Sequence, residues 1–140
     1  MKTFFKKVEP ENISYRLKYN LISEEEIRKN VNSYDWKIRF FIASRGQCLD
    51  ILINDEHWNV RYAVVMQGHG LQILIKDKHS FIRREVARQG FGLDILVHDE
   101  NSDVRRAVAE QGFGLDILKN DDFFYVSNEA ERQLKIRGLL

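Results

Sequence analysis

Residues 89–96 read QGFGLDIL, and residues 111–118 read QGFGLDIL again, 22 positions later. Sliding the chain against itself by 22 residues extends this echo into four copies. They are WKIRFFIASRGQCLDILINDEH from Trp36, WNVRYAVVMQGHGLQILIKDKH from Trp58, SFIRREVARQGFGLDILVHDEN from Ser80 and SDVRRAVAEQGFGLDILKNDDF from Ser102. Every copy holds an arginine (Arg39, Arg61, Arg83, Arg105), a glycine (Gly46, Gly68, Gly90, Gly112) and an aspartate (Asp55, Asp77, Asp99, Asp121). Between glycine and aspartate lies an apolar knot, Leu93 with Ile95 and Leu96 in the third copy and its equivalents in the others. A fixed period of this length is one supersecondary unit, written several times so that neighbouring units can bury each other.

The spacing within a unit names the elements. In SDVRRAVAEQG, Val104, Ala107, Val108 and Gln111 fall on one helical face, with Ser102 expected to cap the start and Gly112 to end the helix in a left-handed turn. That predicts a helix of about nine residues. In GLDILKND, Leu115, Leu118 and Lys119 share one face of a second, shorter helix, and Asp116 in its first turn suits the helix dipole. The apolar runs are too short, and too poor in hairpin turn residues, to read as strands. An isolated helix of this length is marginal in water, so each pair must stack on the next. The expected fold is all-α, a right-handed α/α solenoid forming a single domain over 1–140. Residues 1–35 form an N-terminal cap, 36–123 the four repeats, and 124–140 a C-terminal cap helix in which Ser127 replaces the arginine. Ser23, followed by three glutamates, is expected to cap a helix inside the N-terminal cap.

Composition narrows function by exclusion. Of 140 residues, 44% are hydrophobic and 31% charged, as in one ordinary folded domain. Lys plus Arg number 22 against 21 Asp plus Glu, so no global basic field draws nucleic acid, and any binding surface is local. Cys48 is the single cysteine, which leaves no intrachain disulfide and no thiolate cluster for a metal. The opening MKTFFKKVEPEN lacks the apolar run of a signal peptide, and no later stretch approaches membrane-spanning length, so a cytoplasmic protein without a membrane partner is expected.

With DENSDVRRAVAEQG and DEHWNVRYAVVMQG in view, the chain resembles HEAT-like repeat proteins, and its short period looks most like the leucine-rich repeat variant group. In such repeats an aspartate in the turn precedes an arginine by six residues and the two form a ladder between repeats. The resemblance therefore implies that Asp55 goes with Arg61, Asp77 with Arg83 and Asp99 with Arg105, as structural parts rather than a phosphate-tracking ridge. It also implies that the long helix of each pair lines a concave groove. Most HEAT-like proteins are scaffolds; a minority bind DNA, repair bases, attach chromophores or hold metal centres, and the fold alone does not choose among them.

No catalytic constellation stands out. His57, His79 and His98 are expected to be turn residues without a metal, Cys48 a small residue between helices, and no cofactor is expected. The exposed face of the long helix is where the copies differ: Phe40, Tyr62, Arg84 and Arg106 in one column, Ser44, Met66, Arg88 and Glu110 in another. The expected function is a non-catalytic interaction module or regulator, of bacterial or phage type, binding another protein through Phe40, Tyr62, Met66, Arg84, Arg88 and Arg106. The alternative is a nucleic-acid binder using Arg84, Arg88 and Arg106. An enzyme of the repair, lyase or metal-hydroxylase type ranks third.

Overall fold

The computed structural model describes residues 12–140, the side chains of Ser14 and Leu17 excepted; the expectation about MKTFFKKVEPEN, all but its last residue Asn12, and the first part of the N-terminal cap fall on residues 1–11 and lie outside it. The described residues are helical with no strand among them. The helices are α1 (Ile13–Lys18), α2 (Glu24–Asn30), α3 (Trp36–Ser44), α4 (Leu49–Leu52), α5 (Trp58–Met66), α6 (Leu71–Leu74), α7 (Ser80–Arg88), α8 (Leu93–Leu96), α9 (Ser102–Glu110), α10 (Leu115–Leu118) and α11 (Phe124–Ile136). Nine-residue helices alternate with four-residue ones from α3 to α10. The chain falls into two compact units, one ending at Gln67 and one running from Gly68 to Leu140.

In the first unit, α3 is the hub, packing on α1, α2, α4 and α5. Ile27, Val31, Ile42, Ala43, Leu52, Val60 and Val64 are buried. Ser23 caps α2 in a full capping box, its hydroxyl accepting from the Glu26 amide while the Glu26 carboxylate accepts from the Ser23 amide. In the second unit α9 lies between α7 and α11, with α8 and α10 packed beside it. Ile82, Val86, Val104, Val108, Leu118, Val126 and Ala130 form that core.

The paired glycines of GFG explain why the octet recurs. The first ends the long helix. Gly90 (φ +75°) donates to Ala87 O and Phe91 to Val86 O, the double hydrogen bond of a left-handed C-terminal cap, and Gly112 with Phe113 repeats it on Ala109 and Val108. The second glycine starts the short helix, also in the left-handed region, and is pressed against the preceding repeat. A Cβ on Gly92 would sit 2.1 Å from Ile75 Cδ1, and one on Gly114 2.5 Å from Val97 Cγ2. In the first unit that position is Cys48, which takes the same conformation with φ 54°. The last helix, α11, runs 13 residues, and its terminating glycine is Gly138, 26 residues after Gly112 rather than 22 because the helix carries one more turn.

Two local expectations change. Asn101, not Ser102, caps α9, its Oδ1 accepting from the Asp103 amide, and Ser102 is already helical. Gln111 and Lys119 are exposed rather than part of a packed face. The knot is half buried: Leu52, Leu74, Leu96 and Leu118 enter the core, while Ile51, Ile73, Ile95 and Ile117 stay exposed.

Candidate interaction surfaces

The recurring aspartate and arginine meet at the turn before each long helix, with a pairing different from the expected one. Arg39 donates through Nε and Nη2 to both carboxylate oxygens of Asp55, at 2.6 and 3.0 Å. Arg83 holds Asp99 in the same way at 2.7 and 2.9 Å, and Arg105 holds Asp121 at 2.6 and 2.9 Å. The carboxylate partner therefore lies 16 residues after the arginine, in the next repeat. The aspartate six residues before it contributes its backbone carbonyl instead: Asp55 O accepts from Arg61 Nη1, Asp77 O from Arg83 Nη1 and Asp99 O from Arg105 Nη1. Each aspartate also closes its own turn, Oδ1 accepting from the amide two residues on, at His57, His79, Asn101 and Phe123.

These rungs are nearly dry; the Arg83 and Asp99 side chains are 9% and 7% exposed. Fork-to-fork pairing raises the pKa of Arg39, Arg83 and Arg105 through the hydrogen bonds to their aspartates. The Arg105 guanidinium, helped by the Phe123 amide, holds the Asp121 carboxyl below its ordinary value against the opposing effect of burial. A buried, bidentate arginine with its donors spent on carboxylate and carbonyl is a framework part.

The long helices present what is left. In the first unit, Trp36, Lys37, Phe40, Phe41 and Asn59 line an apolar cleft of about 310 Å³. The His57 ring stacks on Trp36 with centroids 4.1 Å apart while its Nδ1 accepts from the Asn59 amide, capping α5. Phe40 meets both Trp36 and Phe41 edge to face. Phe40 and Tyr62 are partly covered rather than fully exposed, whereas Met66 stands open. Aromatic packing inside α3 accounts for Phe40, and this is where helical phase alone overstated exposure.

In the second unit the same face is charged and internally neutralised. The buried Glu85 carboxylate accepts from Arg84 at 3.2 Å and from Arg88 at 2.9 Å, and Glu110 lies 3.3 Å from Arg106 and 3.9 Å from Arg88. Arg84 is largely covered, its guanidinium 4.5 Å from the centre of the Phe81 ring. Further along, Arg132 and Gln133 bind Glu129, and the Arg132 guanidinium holds that carboxyl below its usual range. The residues read as a basic stretch thus face carboxylates; Glu110 stood in the second column, whereas Glu85, one residue after Arg84, was passed over by the column-by-column reading.

Among the described residues, no group of three or more His, Cys, Asp or Glu side chains is placed to hold a metal ion, and no helix is long and apolar enough to cross a membrane. His57 and His79 are the capping residues of α5 and α7, and His98 is exposed. Compared with known proteins, the chain matches no family model, no curated protein and no solved structure.

Proposed function

We propose that this chain is a non-catalytic interaction module or regulator of the HEAT-like kind, a right-handed stack of short helix pairs that binds another protein through the outward faces of its long helices. One observation carries the reading. The glycine, arginine and aspartate that recur every 22 positions are consumed by turns, caps and rungs, whereas the large side chains of the long helices that differ from copy to copy, such as Met66, Phe81, Arg88 and Arg106, stand in solvent. A scaffold that holds its frame constant while varying one face is built to present that face. Partly covered aromatics flanked by open side chains also offer large contact area at small entropic loss, the composition from which interface hot spots are drawn. Binding of nucleic acid by Arg84, Arg88 and Arg106 ranks below this, since each of the three already lies against Glu85 or Glu110.

The test is affinity capture with the full chain from cell extract, followed by quantitative binding of the captured protein to Tyr62→Ala, Met66→Ala and Arg88→Ala. We expect binding to weaken by roughly fivefold or more in at least one variant of each unit, with melting temperature held near wild type. Equal capture by all three overturns the assignment of this face. Capture of nucleic acid, with affinity falling steeply in log salt, overturns the choice of protein as partner.

A further inference from the structure

The short helices carry a feature that packing does not require. Ile51, Ile73, Ile95 and Ile117 are 56%, 50%, 55% and 47% exposed, while the leucine after each is buried. An exposed helical position is served as well or better by Ala, Lys or Glu than by a β-branched residue. Half-open isoleucine at the same place in four copies therefore asks for another reason.

The second unit holds three of these helices, α6, α8 and α10. The long helices α7 and α9 of successive repeats pack on each other, and the Ile75 and Val97 side chains, at the ends of α6 and α8, press on Gly92 and Gly114 at the starts of the next short helices. Their equivalent isoleucines consequently recur at the helix-packing interval of roughly 10 Å. Around Ile95 and Ile117 the charge is negative, whereas Ile73 follows Gln72 and precedes the exposed Lys76 and Lys78. Asp94 and Asp116, directly before Ile95 and Ile117, are exposed, and the turns add Asp122 and Glu100, the latter 87% exposed. Between α8 and α10 opens a cleft of about 530 Å³ lined by Ile117, His98, Glu100, Asp122 and Phe123 among others. The arginine in that cleft, Arg105, is already spent on Asp121. Lys119 is the sole lysine or arginine in residues 93–101 and 115–123.

We propose that the short-helix edge of the Gly68–Leu140 unit docks an extended peptide segment carrying an aliphatic side chain at every third residue, with lysine or arginine between. The interval selects the conformation. A polyproline-II chain advances about 3.1 Å per residue and returns to the same side every three residues, roughly 9 Å, which matches the spacing of the isoleucines. A helix returns after about 5.4 Å and a flat strand after about 6.6 Å, and neither matches. The carboxylates beside Ile95 and Ile117 then supply the charge complementarity that selects basic residues between the aliphatic ones. This edge is separate from the long-helix face, so the two readings stand or fall independently.

The probe is a fluorescent peptide of about five Ile-Pro-Lys triplets, titrated with the full-length chain and followed by anisotropy. Two comparison peptides keep its length: one with the same residues shuffled to cluster the isoleucines, one with glutamate for lysine. We expect the triplet peptide to bind at least about fivefold tighter than the shuffled one, and the glutamate peptide not to bind. Ile95→Ser and the surface double variant Asp94→Asn/Asp116→Asn should each weaken the triplet peptide by about threefold or more, with unchanged melting. Equal affinity for the shuffled peptide reduces the edge to unspecific charge attraction and overturns the proposal. So does the absence of saturable binding, or wild-type affinity in both variants.

Discussion

The long helices of the two units are built on the same frame and dressed differently. In the first, α3 and α5 carry Trp36, Phe40, Phe41 and Tyr62, with an apolar cleft beside them. In the second, α7 and α9 carry Arg84, Arg88 and Arg106 interleaved with Glu85 and Glu110. The turn glycine, the bidentate arginine and the aspartate-closed turn are nevertheless the same in both. The helix ends and the rungs therefore determine the architecture, and the outward face is free to change its chemistry from apolar to charged without disturbing them.

The largest effect should come from the shared frame. Arg83→Ala leaves the Asp99 carboxylate buried beside an empty space and the Asp77 carbonyl without that donor, a loss of about 3 kcal/mol by denaturant unfolding. Arg39→Ala should cost a comparable amount in the first unit; a difference of several kcal/mol between them would show that the rungs are not equivalent. Next come the glycines. Gly114→Ala combines a left-handed φ with a Cβ 2.5 Å from the stiff Val97 side chain and should cost about 2 kcal/mol. Gly90→Ala meets no neighbour within 4 Å and should cost only the conformational term, about 1 kcal/mol. Cys48→Gly runs the comparison backwards, relieving a left-handed non-glycine residue, and should be neutral to slightly stabilising in a thermal melt.

Acid should weaken both units by the same route. Asp121 and Glu129 in the second unit have folded pKa values lowered by Arg105 and Arg132, and Glu26 in the first is pulled from 4.5 to about 2 by Arg16 and the Ser23 amide. A carboxylate whose folded pKa lies below its unfolded one contributes stability above the unfolded value and loses it as pH falls through the folded one. The melting temperature should accordingly hold above pH 5 and decline between about pH 4.5 and 2. The smallest effect is expected on the outward face, where Arg106→Ala breaks a solvent-exposed pair with Glu110 and should change stability by no more than about 0.5 kcal/mol.

Much of the frame was legible in the letters, because helix length, glycine position and the Ser23 cap are local properties with local signals. The partner of each arginine was not, for a reason internal to periodicity: with a repeat of 22, an arginine that has an aspartate six residues before it also has one 16 residues after it. Both arrangements are written by the same letters, and only three-dimensional stacking decides between carboxylate and carbonyl. Lys119 was misplaced on the packed face of the short helix beside Leu115 and Leu118, since one turn of helix leaves the edge of its apolar face undefined. At the candidate surface, the two outward columns located Met66, Arg88 and Arg106 in solvent. It did not show that Phe40 packs on Trp36, or that Glu85 would be buried beneath two arginines, because those contacts depend on rotamers and on neighbours within the same helix.

The claim that recurring residues form the frame by pairing forward into the next repeat is tested most directly by two double-mutant cycles on Arg83. One combines Arg83→Ala with Asp99→Ala, the other with Asp77→Ala, each read by denaturant unfolding. Forward pairing requires a coupling of about 1.5 kcal/mol or more between Arg83 and Asp99, and less than about 0.5 kcal/mol between Arg83 and the Asp77 side chain, whose carbonyl survives the substitution. A strong coupling to Asp77 with none to Asp99 would contradict it.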